Sequence, residues 1–233
     1  MLPGPTIIFK CPSCNQLLKR RTIASGNTGG AKYWTDGWMS ARMLPLTPRL
    51  IKCAHCSAVN WLALFEEVDS FETYFGLLAF TGQDREIDAK DNSQDLAARA
   101  KLDLYKDVLC YETATSDEIF NFADEAALTL EEDLQARVIG WQRGNDLRRN
   151  SAAPSPLTNA ELRNLQRVVK LMVQLKKDQS LLMAEALREL GRLGEAKELI
   201  LKITFDGIET NAAKFILELI EAGDTKVRQI LFK

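Results

Sequence analysis

The sequence predicts an α+β protein, a small N-terminal β unit followed by a mainly α-helical C-terminal region. Three observations predict it. Four of the five cysteines stand in two CxxC pairs, Cys11–Cys14 and Cys53–Cys56, each flanked by short apolar runs. Helix-start signatures recur from about residue 93 onward. The composition, 46% hydrophobic and 27% charged over 233 residues, is that of an ordinary globular chain of one to two domains.

The N-terminal elements follow from the cysteines. Ile7–Phe9 precede the first pair and Leu17–Leu18 follow it, while Leu50–Ile51 and Val59–Leu64 flank the second. These apolar runs suit strands. Two residues between cysteines let both thiolates reach one ion from a tight turn, and two such turns complete a tetrahedron. Asn15 and Ser57 follow the pairs, and Asn tolerates the left-handed backbone that such a turn needs. Strand, knuckle, strand, insert, strand, knuckle, strand is the order of a zinc ribbon. The predicted ligands of one structural Zn²⁺ are Cys11, Cys14, Cys53 and Cys56. Four thiolates leave no open position for water, so the predicted role is structural and not catalytic. A redox CxxC would need a thioredoxin-like βαβ setting, which is absent here, and the strand context favours zinc over an iron–sulfur cluster. His55, the only histidine, lies inside the second knuckle and reads as a surface residue. Cys110 reads as a small buried hydrophobe on an apolar helical face.

Cys14 and Cys53 are separated by 38 residues, where simple ribbons have about 15–20. The excess, residues 26–48, is rich in Gly, Trp and Met, and inserts of this length are usually functional. Two readings stand. Trp34, Trp38, Met39 and Met43 form a small core that packs the ribbon onto the helical part. Alternatively, Tyr33, Trp34 and Trp38 join Lys19, Arg20, Arg21, Lys32 and Arg42 in a candidate binding surface. Aromatic stacking beside positive charge suits single-stranded nucleic acid, and a protein with an acidic face satisfies the same residues.

Charge divides the chain in three. Residues 1–65 hold eight basic groups and one acid; residues 66–135 hold five basic groups and nineteen acids; residues 136–233 hold seventeen basic groups and twelve acids. The overall formal charge of −2 therefore hides a basic ribbon followed by an acidic middle, which the sequence predicts to dock onto each other. The predicted domains are residues 1–65, the ribbon with its insert; 66–150, acidic and mainly helical; and 157–233, helical, with the Pro-containing segment 150–156 as linker. Glu66–Phe80 reads as an amphipathic helix or a strand pair. A helix from Ser93 carries Leu96, Ala97, Ala100, Leu104, Val108 and Leu109 at helical spacing. Thr115/Glu118, Thr129/Glu132 and Thr158/Glu161 are capping boxes that open three further helices. Others are expected at about 179–190, 194–203, 209–221 and 225–232, with Gly191, Gly194 and Gly223 as stops. The end of the Thr129 helix holds Trp141, Asn145, Asp146, Arg148 and Arg149. They read either as a core Trp with a polar cap or as a recognition surface.

Residues 181–200 place Ala184, Ala186, Leu187, Leu190, Gly191 and Ala196 where the paired helices of a tetratricopeptide hairpin pack closely, without a clear second copy. Taken together, CPSC, YWTDGWM with MLP, CAHC followed by Trp61, and AEALRELGRLGEA resemble a group of poorly characterised bacterial proteins. Members of that group combine an N-terminal zinc ribbon with a C-terminal tetratricopeptide-like helical region. The resemblance implies this architecture and a bacterial cytoplasmic setting, and it brings no mechanism. No P-loop, GxGxxG, GxSxG or HExxH occurs, and one histidine leaves little room for histidine acid–base chemistry. No apolar run approaches a membrane span, and the N-terminus reads as no secretory signal. The expectation is a cytoplasmic, non-enzymatic zinc-binding adaptor with a protein partner, no membrane and no evident small-molecule substrate. A nucleic-acid-associated protein is the alternative.

Overall fold

A computed structural model describes residues 2–71, 89–149, 151, 155–176 and 180–231, with backbone alone for 89–95 and 208. The strands are β1 (Leu2–Lys10), β2 (Leu17–Ser25), β3 (Lys32–Trp34), β4 (Met39–Ser40), β5 (Leu50–Lys52), β6 (Val59–Trp61), β7 (Glu66–Phe71), β8 (Leu109–Cys110) and β9 (Gln229–Ile230). The helices are α1 (Ala89–Leu104), α2 (Ser116–Glu125), α3 (Leu130–Asn145), α4 (Asn159–Leu175), α5 (Ser180–Glu189), α6 (Leu193–Leu201) and α7 (Ile208–Glu221). The protein is thus mixed α+β, strands first and helices after.

Two compact units emerge, and they cut across the charge-defined segments. Unit one is Met1–Gly29 with Ala41–Thr113, and unit two is Gly30–Ser40 with Ala114–Lys233. The middle of the insert belongs with the helices.

In unit one the sheet order is β7-β1-β2-β8, with β5 and β6 as a separate hairpin. β1 pairs antiparallel with β2 and β7, and β8 runs parallel to β2. Ile8 and Phe9 point to opposite faces of the sheet, and both are buried. Phe9 enters a core with Cys11, Leu18, Ile51, Cys53 and Phe65. Its ring meets Phe65 edge-on at 5.2 Å, a favoured aromatic geometry.

The end of α1 is anchored by polar contacts. Tyr105 donates to Asp69 at 3.1 Å and stacks on Phe71, while Lys101 pairs with Asp69. Lys19 Nζ donates to the carbonyls of Tyr105 and Lys106 at 3.2 and 2.9 Å, satisfying groups at a helix C-terminus. This differs from the helix expected to run from Ser93 to Leu109 along an apolar face. Leu96 and Leu104 are 60% and 70% exposed, and the chain leaves the helix to form β8. Cys110 is therefore an exposed strand residue and not a buried helical one. Of the expected charge docking between ribbon and acidic middle, Lys52–Glu112 at 3.2 Å is one ion pair. Glu66–Phe71 is strand, and the rest of the expected 66–80 element lies outside the described residues.

In unit two all three predicted capping boxes form. Thr115, Thr129 and Thr158 each accept from the backbone N–H of the Glu three residues on, and each Glu reaches back. The core joins Leu134, Trp141, Leu165, Val168, Leu171, Met172, Leu187, Ile200 and Ile216 from α3 to α7. Gly191 (φ 75°) and Gly223 (φ 67°) end α5 and α7 in the left-handed region, as a helix stop requires. Gly194, expected as a stop, lies instead in the first turn of α6. The helix expected at 225–232 does not form over the described residues 225–231, because Gln229–Ile230 pairs antiparallel with Tyr33–Trp34 of the insert. That partner is nearly two hundred residues away, beyond any local signal.

Gly140 fixes the approach of α3 to α2. A Cβ there would stand 2.6 Å from Phe120 Cε1, and Phe120 is itself buried. Gly140→Ala is expected to lower stability by about 1–3 kcal/mol through overpacking, although Ala is the better helix former. Urea unfolding checks it, and a stabilised variant would mean that the two helices are not in contact.

Candidate metal centre

The two knuckles repeat each other atom for atom. Cys11 N–H donates to Gln16 O at 3.0 Å and Asn15 N–H to Cys11 O at 2.9 Å; Cys53 N–H donates to Ala58 O at 3.0 Å and Ser57 N–H to Cys53 O at 2.9 Å. Asn15 and Ser57 both adopt φ 59°, so the left-handed turn read from Asn15 extends to Ser57. β1–β2 carries the first turn and β5–β6 the second. Asn60 Nδ2 donates to Ser13 Oγ at 3.0 Å, tying one knuckle to the other.

The four sulfurs of Cys11, Cys14, Cys53 and Cys56 lie within 4.8 Å of one another. Cys11 and Cys56 sulfurs are 3.9 Å apart, and those of Cys14 and Cys53 are 3.7 Å apart. These are not disulfide distances. They match the edges of the tetrahedron that an ion with bonds of about 2.3 Å would require, whose sulfur–sulfur separations are near 3.8 Å. The donor set and its spacing fit a four-thiolate metal ion. Cys11 and Cys53 are fully buried and belong to the core of unit one, while Cys56 is exposed.

The metal-free thiols differ in acidity. Burial pushes the Cys53 thiol up to about 12. For Cys14 the Gln16 backbone bond lowers the value, but burial and the neighbouring Cys56 and Cys11 leave it raised. For Cys11 burial raises it, and the Cys14 and Ser13 backbone bonds bring it below the ordinary range. An incoming ion must therefore displace protons, and affinity falls as pH falls. With more than one proton displaced, the expected loss exceeds about tenfold per pH unit. Chelator competition at several pH values measures it, and a flat profile would mean that the thiols do not bind the ion. His55 stays outside the ligand set. Its Nε2 lies 3.2 Å from Leu17 O, a contact that needs the Nε2–H tautomer.

The residues of the candidate binding surface are divided between the two units. Arg20, Arg21 and Arg42 belong to unit one, and Lys32, Tyr33, Trp34 and Trp38 to unit two. Arg21, Lys32, Tyr33 and Arg42 are exposed, Arg20 and Trp38 half-buried, and Trp34 is 5% exposed. Gly37, at φ 77°, closes the β3–β4 hairpin, donating to Trp34 O at 3.0 Å. That turn carries Asp36 into the helical unit. Asp36 pairs with Arg149 and accepts from Asn145 Nδ2 at 3.1 Å, and Gln142 donates to its carbonyl at 2.9 Å. The Arg149 guanidinium lies over Trp34 and Trp38, 5.9 and 5.4 Å from their ring centres.

Arg148 and Arg149 are thus buried, not surface residues. Arg148 forks onto Glu161 with both bonds at 2.7 Å. A further buried pair, Glu185–Arg188, lies on α5 at 2.6 Å with both side chains fully buried. Sequence reasoning missed Glu185, Arg188 and Glu189. Their i, i+3, i+4 spacing beside Ala184 and Leu187 was the available signal.

Among the described residues no helix is long and apolar enough to cross a membrane. Comparison with protein-family models, with curated proteins and with solved structures finds no match to this chain.

Proposed function

We propose that the chain is a non-enzymatic, zinc-binding adaptor. One structural Zn²⁺ is held by Cys11, Cys14, Cys53 and Cys56, and the helical unit, including its tetratricopeptide-like α5–α6 hairpin, offers a surface to a protein partner. The observation that carries the reading is the complete four-thiolate set at tetrahedral spacing, which leaves the ion no open position for substrate or water. Free thiols at such a site suit a reducing compartment, so the cytoplasm is the proposed location.

The alternative is a nucleic-acid-associated protein, supported by exposed Arg21, Lys32, Tyr33 and Arg42. Elemental analysis of the dialysed chain, expected to return one zinc per chain, tests the metal. Titration with generic single-stranded RNA and DNA at low and high salt separates the two roles. The adaptor reading expects no binding at either, whereas binding that weakens steeply with salt would overturn it.

A further inference from the structure

Unit two contains a cavity of about 370 Å³. Leu157, Leu162 and Val227 give it apolar walls, exposed Lys226 also lines it, and its buried polar surface comes from Asn145, Glu189 and Arg148. The Asn145 and Glu189 side chains are 1% and 5% exposed. Asn145 Nδ2 donates to Asp36 at 3.1 Å and to Glu189 at 3.1 Å. Two carboxylates facing the NH₂ group fix the orientation of the amide. Asn145 Oδ1 is then left buried without any hydrogen-bond partner, which is uncommon and asks for a donor.

Glu189 presents a matching need. The nearby buried carboxylates each have a guanidinium: Asp36 has Arg149, Glu161 has Arg148 and Glu185 has Arg188. Glu189 accepts from the Trp141 indole at 2.9 Å and from Asn145, and among the described residues no cationic group hydrogen-bonds it. Burial first, then Glu185 and Asp36, hold its carboxyl well above the usual carboxylate range. Arg148 has no donor to spare, since its N–H groups go to Glu161, Gly144 O, Ser155 O and Pro156 O. The raised Glu189 carboxyl keeps its proton while no cation meets it, and once that proton leaves, the buried polar wall of the cavity accepts and does not donate.

We infer that this cavity binds a small organic primary amine, whose ammonium group donates to Glu189 and Asn145 Oδ1 while its aliphatic body lies on Leu157, Leu162 and Val227. Three N–H donors match the two acceptors once Glu189 gives up its proton, so uptake of the ammonium releases one proton and the positive charge pairs with the carboxylate that forms. Lys226 disfavours a second cationic end.

The test uses the zinc-loaded full chain with n-butylammonium as probe and 1-butanol and butyrate as controls, read by calorimetry and by the thermal unfolding midpoint. Butylammonium is expected to bind saturably in the millimolar range and raise the midpoint, and the controls are not. Glu189→Gln is expected to weaken binding by at least about tenfold through loss of the charge-assisted bond. Leu157→Trp fills the apolar wall without touching a polar partner and is expected to abolish binding; it decides the matter if Glu189→Gln does not fold. No saturable binding, equal binding of 1-butanol, or unchanged affinity in the folded variants would overturn the proposal and leave the cavity to solvent.

Discussion

Cys53→Ser is expected to release the metal and unfold unit one while the helices of unit two persist. Cys53 is fully buried, and its sulfur is 3.7 Å from that of Cys14. The same side chain packs with Phe9, Leu18, Ile51 and Phe65, so the substitution removes a ligand and leaves a hydroxyl in an apolar core. Structural zinc contributes about 10–16 kcal/mol in small zinc-dependent peptides. A whole domain is stable by only about 5–15 kcal/mol, so no other single loss in unit one compares with it. Elemental analysis should fall from one zinc per chain to none. The far-UV helical signal should survive, because α2–α7 and their core lie in the other unit. Cys110→Ser is the control: Cys110 is exposed on β8, and its loss should leave the metal in place. Full zinc retention by Cys53→Ser would refute the four-ligand site.

Arg149→Ala is expected to cost unit two about 3–5 kcal/mol, the usual loss when one member of a buried ion pair is removed. The Arg149 and Asp36 side chains are 4% and 0% exposed, so Asp36 would be left charged and buried without its partner. The guanidinium over Trp34 and Trp38 would go with it. The pH dependence has a definite sign. Burial already raises the Asp36 carboxyl, and Arg149 lowers it. Without Arg149 the folded-state value rises further, so the folded state more strongly prefers the protonated acid. The deficit is therefore largest at neutral pH and shrinks as pH falls and Asp36 takes up its proton. Urea unfolding at neutral and mildly acidic pH measures this. Adding Asp36→Asn to Arg149→Ala should restore part of the loss. A deficit that does not change with pH would mean that Asp36 is not the group left unpaired.

These two residues also mark where sequence reading stopped. Both CxxC knuckles and the three capping boxes were legible, because each is built from residues within six positions of one another, whereas of the strand expected over Val59–Leu64 only Val59–Trp61 forms and Leu62–Leu64 turns into a 3-10 helix. Spacing alone puts two thiolates on one turn. The insert reads either as ribbon packing or as a binding surface, and no local signal assigns its middle to the helical unit. Residues 30–40 form a hairpin of unit two, held by β9 and Arg149. The helices expected to run to Leu109 and over 225–232 gave way to strands for the same reason. Leu109–Cys110 pairs with β2 and Gln229–Ile230 with β3, and backbone pairing with a distant strand outweighs local propensity.

By itself the sequence determined the four-cysteine cluster, the order of strands before helices and the places where α2, α3 and α4 begin. Those depend on covalent neighbours and short hydrogen-bonded rings. Only the tertiary structure decided which unit owns the middle of the insert, that Arg148, Arg149 and Arg188 are buried, and that Asn145 and Glu189 meet at one cavity. A charge enters the interior only where a partner from elsewhere in the chain meets it, and that partner is known only once the chain has folded.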